Sequence, residues 1–253
     1  MTPSTTHLVA IPSFNTGDLL LETVRRARAE WNPVWVIIDG STDGSAQRLA
    51  EDVSDDPGVR VLALGENRGK GAAIHHALRL AAAEGYTHLL TMDADGQHPP
   101  GKVPEFMARS VAEPRALIAG VPVFGAEAPA LRVRGRRISN AWVRIETLGT
   151  GARDSLFGFR VYPIVPLLAI MDRTIWMRRF DFDPEAAVRL NWAGVPTVNL
   201  SAPVRYLSAD EGGVSHFRYG RDNTLLTAMH IRLMLGWLFR WPVLVWQRRS
   251  GAS

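Results

Sequence analysis

Thr91-Met92-Asp93-Ala94-Asp95-Gly96-Gln97-His98-Pro99-Pro100 follows the apolar run Thr87-His88-Leu89-Leu90. A strand through that run puts residues two apart on the same side. Asp93, Asp95 and Gln97 then emerge together at its end, before the two prolines stop regular structure. Two carboxylates and an amide oxygen form a partial shell for a hard divalent cation, Mg²⁺ or Mn²⁺. Water or a substrate phosphate must complete that shell, which points to phosphate-ester chemistry. For an isolated Asp-x-Asp the alternative is a strand-to-turn corner whose Asp and Gly only satisfy backbone groups.

The surrounding chain favours a shared site. Apolar runs at His7–Ser13, Val34–Asp39, Val59–Leu64, His88–Asp93 and Ala116–Val121 read as strands. Helical patterns separate them near Asp18–Glu30, Ser45–Asp52, Ala72–Glu84 and Val103–Val111. Near-continuous apolar strands imply a sheet covered on both faces, and the strand–helix alternation predicts an α/β, doubly wound, mostly parallel sheet. Ligands of such sheets bind beyond the carboxyl ends of the strands. Four of those ends are polar or Gly-rich: Pro12-Ser13-Phe14-Asn15, Asp39-Gly40-Ser41-Thr42-Asp43-Gly44-Ser45, Gly65-Glu66-Asn67-Arg68-Gly69-Lys70-Gly71, and the Asp93–Gln97 element.

Farther on, Leu131–Gly149 reads as an arginine-rich helix, Pro184–Trp192 as another, and Thr197–Val204 as a strand. Helical spacing places Arg132, Arg136, Asn140 and Arg144 on one face, with Val133, Ala141 and Leu148 on the packing side. This predicts a domain over 1–224, with a nucleotide-binding half (1–122) and an acceptor half (123–224). An apolar, Trp- and Arg-rich helix and tail follow at 225–253. Within Leu225–Trp246 the uncharged stretch Leu233–Phe239 is far shorter than the roughly 20 residues a spanning helix needs. Trp237, Phe239, Trp241 and Trp246 beside Arg240, Arg248 and Arg249 suggest a helix lying at a membrane surface, or else a core or dimer-interface helix.

With 253 residues, 46% hydrophobic and 21% charged, the chain can bury a substantial core. It has no cysteine, which excludes thiol catalysis, disulfides and zinc–thiolate sites. Met1–Ile11 lacks the apolar core of a signal peptide, so cytoplasmic residence is expected, or a peripheral place on the inner face of the cytoplasmic membrane. Lys70 and Lys102 are the only lysines in a net charge of +4. The remaining basic charge is arginine, which suits bidentate phosphate recognition. The basic helix is expected to expose no interleaved aromatics, which argues against nucleic-acid binding.

Together, Ile11–Asn15, Asp39–Ser45, Asn67-x-Gly-Lys-Gly71 and Met92–Pro100 resemble family-2 glycosyltransferases, particularly the polyprenyl- or dolichyl-phosphate sugar synthase branch. The resemblance implies the GT-A fold, inverting transfer from a UDP- or GDP-sugar and a divalent metal. It further implies Pro12, Phe14, Asn15, Asp39, Lys70, Asp93, Ala94 and Asp95 at the donor, with Asp93, Asp95 and Gln97 on the metal. Asp39 would accept a hydrogen bond from the base, whereas Asp43 suits a cap before Ser45. The Gly69-Lys70-Gly71 turn would offer backbone amides and a cation at a helix N-terminus. His98 reads as a turn residue, or else as a group supporting the metal ligands from behind.

For the acceptor, the expected phosphate contacts are Arg132, Arg136, Arg137, Ser139, Arg160 and Arg218. Ser139 aligns with a phosphate-contacting serine of the family, although Gly135 stands where that family usually has arginine. Asp154-x-x-x-Gly158-Phe159-Arg160 resembles an element beneath the acceptor site, with a buried Asp154–Arg160 ion pair as the other reading. Asp210-Glu211 replaces the basic residue expected before the Gly-x-Ser loop, leaving His216 and Arg218 to supply positive charge. Asp95, Arg136, Arg160 and His216 are the catalytic candidates. A polyprenyl-phosphate or other lipid-linked acceptor is expected; it needs no general base, whereas a hydroxyl acceptor would need one. Two rivals remain: a membrane-peripheral, non-catalytic nucleotide-sugar-binding protein, and a phosphatase using Asp93 as nucleophile.

Overall fold

The computed structural model describes residues 1–125, 130–205 and 219–249, with side chains at 130–132, 219 and 249 left out. Strand β1 (His7–Ser13) shows why a two-faced sheet forms. Leu8 and Ala10 face one core while Val9 and Ile11 face the other, and all four are fully buried. β2 (Val34–Asp39), β3 (Val59–Leu64) and β4 (His88–Thr91) join it in parallel, followed by β5 (Leu117–Phe124), β6 (Arg160–Pro163) and β7 (Thr197–Val204) in the order β3-β2-β1-β4-β6-β5-β7. Strands from both halves of the chain thus share one sheet.

The sheet is not purely parallel. β6 runs antiparallel to both β4 and β5, pairing Thr91 with Arg160 and Ile118 with Val161. This strand and the helix after it were not expected from the sequence. The insertion lays the loop before Arg160 beside the end of β4.

One face is covered by α1 (Leu19–Glu30), α2 (Ser45–Asp52) and α4 (Val103–Ala112), through Leu20, Val24, Ala27, Leu49 and Phe106. The other is covered by α3 (Lys70–Ala83), α6 (Ile164–Asp172) and α7 (Phe182–Trp192), through Ile74, Leu78, Leu167 and Phe182. Burying side chains of that size is worth about 1.5–3 kcal/mol each.

Two further helices stand beyond the sheet. α5 (Ala130–Glu146) and α8 (Tyr219–Arg249) meet α7 through Val143, Val188, Leu226, Met229 and Leu233. The i, i+3, i+7 spacing of Leu226, Met229 and Leu233 makes one stripe of α8 bury. A second stripe stays exposed: Ile231, Leu235, Leu238, Phe239 and Trp246. Among the described residues no helix is long and apolar enough to cross a membrane. On α5, Arg137 and Arg144 point outward, as does Ala141, which was expected to pack. Buried Ser139, Val143 and Glu146 form the inner side instead.

Candidate active site

A cavity of about 1240 Å³ opens at the carboxyl ends of β1, β2 and β4 and runs on between α5 and α8. Its polar end is lined by Pro12, Ser13, Phe14, Asp39, Lys70, Asp93, Ala94, Asp95 and Gln97. Seven of the eight expected donor residues therefore meet there. Asn15 is the exception: its Oδ1 accepts the Thr42 amide at 2.7 Å, and it ties the first two loops together rather than lining the cavity.

Asp39 closes the next loop. Its carboxylate accepts Arg68 N–H at 2.9 Å and Gly69 N–H at 2.7 Å. Ala72 N–H donates to the Arg178 carbonyl, so these amides before and within the first turn of α3 are already engaged rather than open to an anion. Gly40 permits the approach. It sits at φ +70°, and a Cβ there would lie 2.5 Å from Asn67 N. Asp43 accepts from Ser45 N–H and Gly17 N–H, holding the start of α2 as expected.

The electrostatic centre is Lys70, whose Nζ lies 2.7 Å from Asp93 Oδ1 and 2.7 Å from Asp183 Oδ2. Burial opposes the ammonium, but Asp183 and Asp93 outweigh it and hold its pKa above the lysine range. Burial would likewise raise Asp93, yet Lys70 holds it well below the usual carboxylate range. Asp95 goes the other way, pushed up by burial and then by the charge of Asp93. Asp183 Oδ1 is buried without a hydrogen-bond partner among the described residues.

A site with an acid pushed up by burial and by its neighbour, and an orphaned carboxylate oxygen, has oxygen donors that fit a hard divalent cation. No cluster of three or more His, Asp or Glu side chains closes around a point among the described residues. The protein would therefore supply only part of the shell.

His98 is more than a turn residue. Its Nδ1 accepts the Asp93 amide at 2.9 Å, its Nε2 lies 3.5 Å from Asp93 Oδ2, and its ring packs edge-on to Phe157 and Phe159. Burial lowers its pKa to about 4, so it is neutral and fixes the Asp93–Asp95 loop from beneath.

Arg160 does not reach the cavity. It is fully buried, donating to the carbonyls of Phe157, Asp154, Ser155 and Asp183 and to the Tyr162 hydroxyl. Its role is to hold the 154–158 loop, which corrects both the catalytic and the phosphate-contact expectation. The expected ion pair is also different: Asp154 forms its bidentate bridge with Arg136, at 3.1 and 2.8 Å. Arg136 and Ser139 line the cavity; exposed Arg137 does not. The side chain of Arg132, and Asp210, Glu211, His216 and Arg218, lie outside the described residues.

Asp183, Arg179 and His230 also line the cavity and were missed. Asp183 precedes Pro184 at a helix start, where an acid reads as a cap. No local pattern separates Arg179 from the other arginines around it.

Residues 8–180 match the model of glycosyl transferase family 2, well over half of the chain. The chain belongs to glycosyl transferase family 2. This glycosyltransferase is 28% identical over 210 residues to an undecaprenyl-phosphate mannosyltransferase of Micrococcus luteus, across 81% of this chain and 85% of that protein. It is 30% identical to a polyprenol monophosphomannose synthase of Mycolicibacterium smegmatis, across 63% of this chain and 62% of that one. It spans only 32% of an Enterobacter undecaprenyl-phosphate 4-deoxy-4-formamido-L-arabinose transferase, at 32% identity. Among solved structures, glucosyl-3-phosphoglycerate synthase of Mycobacterium tuberculosis, with Mn²⁺, UDP-glucose and phosphoglyceric acid, superposes at a TM-score of 0.62. It shares 17% identity over 92% of this chain and 80% of the other. That likeness establishes the GT-A fold.

Proposed function

We propose that this glycosyltransferase moves a sugar, with inversion, from a UDP- or GDP-linked donor to a polyprenyl phosphate. One observation carries the reading: a single cavity begins at Asp39, Asp93 and Asp95 and ends among Ile138, Trp142, Ile231, Leu235 and Leu238. The polar end suits a nucleoside diphosphate and the apolar end an isoprenoid tail, with the reacting phosphate between them. The names of the Micrococcus and Mycolicibacterium relatives support the same acceptor class.

In this reading an acceptor phosphate oxygen attacks the anomeric carbon while the bond to the donor diphosphate breaks. The acceptor is already anionic, so no base is required. Arg136, Arg179 and Lys70 border the path of the departing diphosphate, where fixed positive charge favours the transition state. Asp93, Asp95 and Gln97 would hold a divalent ion, which neutralises charge on the leaving group when bound. Phe239 and Trp246, exposed on α8 outside the cavity, would rest on a lipid surface, placing the apolar end of the cavity at the source of its acceptor.

Calorimetric titration of UDP- and GDP-sugars, with and without Mn²⁺, tests the donor half on wild type and Asp95→Ala. Metal-dependent binding that disappears in the variant is expected. Absence of binding by either nucleotide class with metal present refutes the reading, as does equal transfer to undecaprenol and undecaprenyl phosphate.

A further inference from the structure

The wall between the polar and apolar ends of the cavity contains a buried acid–imidazole–hydroxyl row. Glu146 is fully buried, and its Oε1 lies 2.9 Å from His230 Nδ1. His230 Nε2 lies 3.0 Å from Ser139 Oγ, which lies 2.9 Å from a Ser155 hydroxyl that also meets Asn140 Oδ1 at 2.7 Å. Ser139 and His230 both face the cavity. Glu146 Oε2 has no hydrogen-bond partner among the described residues, and burial pushes that carboxyl up against the pull of His230. The Trp142 ring stacks on the imidazole, with centroids 6.2 Å apart.

A carboxylate accepts only, so Nδ1–H points at Glu146. With the cavity empty, Ser139 can give its one hydrogen to Nε2. An anion arriving in the cavity claims that hydrogen, and the Ser139–His230 contact then requires a hydrogen on Nε2. Anion binding and imidazole protonation are thereby linked, with Glu146 balancing the new charge. Other charges around the pair are already matched or lie along the same wall. Glu185 on α7 is bridged by Arg189 and Arg232, Asp154 by Arg136, and Arg221 and Asp222 precede His230 on α8.

Ser139 is the phosphate contact that the family resemblance implies; we infer that His230 and Glu146 support it, His230 acting through Ser139 as a positioning residue for the phosphate monoester of an isoprenoid acceptor. This rests on the acceptor class proposed above. As the phosphate docks, one proton passes from its P–O–H group to His230 Nε2. The phosphate is left dianionic beside an imidazolium, and no other co-reactant is needed. Gly135, one turn before Ser139, borders the cavity with nothing within 4 Å of a built Cβ, so α5 itself adds no cation at that position.

The test is steady-state transfer to undecaprenyl phosphate in detergent micelles from pH 6 to 9, on wild type, His230→Gln and Glu146→Gln. His230→Gln should raise the acceptor KM by roughly 10- to 100-fold, the loss of one charge-assisted hydrogen bond. It should remove the rise of that KM at alkaline pH and leave the donor Kd within about twofold. Glu146→Gln should move the rise in KM to lower pH by about one unit or more, since the balancing carboxylate is gone. That shift decides the matter even where His230→Gln fails to fold. An unchanged acceptor KM with a lower kcat, or superimposable pH profiles, overturns the inference. Inorganic phosphate competing as strongly as undecaprenyl phosphate overturns the lipid assignment. Loss of donor binding in wild type would instead sink the proposed function itself.

Discussion

Lys70→Met keeps the side-chain stem and removes the ammonium that bridges Asp93 and Asp183. The Lys70, Asp93 and Asp183 side chains are 14%, 32% and 8% exposed, so the bridge is largely out of water. Removing one partner of such a pair costs about 3–5 kcal/mol. The partial exposure of Asp93 argues for the lower end, about 3 kcal/mol. At 2–4 °C per kcal/mol for a chain of this size, the melting temperature should fall by roughly 6–12 °C. The sign of the pH dependence is fixed as well. Without the ammonium, Asp93, Asp95 and Asp183 repel one another, and the folded pKa values of Asp93 and Asp95 rise above the unfolded ones. Stability from such groups is present at low pH and lost as pH rises, so the variant's deficit must be larger at pH 7.5 than at pH 5. Mn²⁺ should restore part of it by taking the place of the missing cation. Thermal melts at both pH values, with and without metal, measure all three effects. A fall of less than about 2 °C at pH 7.5, or an equal fall at both pH values, would refute the assignment of Lys70 as the charge keystone of the site.

Two other outcomes follow from the same physics. His7 stacks on His88 at 4.4 Å, and burial, then the neighbouring His88, lower its pKa from 6.5 to about 4. A depressed histidine contributes stability above its unfolded pKa and loses it as pH falls toward the folded one. Between pH 7 and 4.5, wild type should therefore lose up to about 3 kcal/mol more than His7→Gln in urea titrations; parallel losses would contradict this. At the other end of the chain, Phe239 is 86% and Trp246 67% exposed. Phe239→Ser with Trp246→Ser should leave the melting temperature within about 2 °C, while sedimentation with anionic vesicles drops about tenfold or more. Undiminished sedimentation would remove α8 from the lipid contact.

Much of the first 120 residues was legible because their signals are local. β1, β2 and β3 begin and end where their apolar runs do, and the polar loops follow from the rule that α/β sheets bind at strand carboxyl ends. β6 was not legible. Four residues beginning with arginine and ending in proline carry no strand pattern of their own, and their pairing with β4 and β5 is set by segments far away in sequence. Arg160 was misread for the same reason, since arginine is normally solvated. Only the convergence of four backbone carbonyls makes its burial tolerable, and those carbonyls come from the 154–158 loop and from the first turn of α7. The bond between Ser139 and His230 spans α5 and α8, so no spacing along the chain could have announced it.

α8 is an unbroken helix of 31 residues, about 46 Å long at the usual rise. It presents His230 and Ile231 to the cavity and Trp246 to the outside, with Pro242 between Trp246 and the cavity. A helix rotates as a rod, so turning the outer stripe by one residue, about 100°, would carry His230 away from Glu146. The register of the outer surface and the alignment of the cavity wall are therefore one inherited trait, and neither can drift without the other.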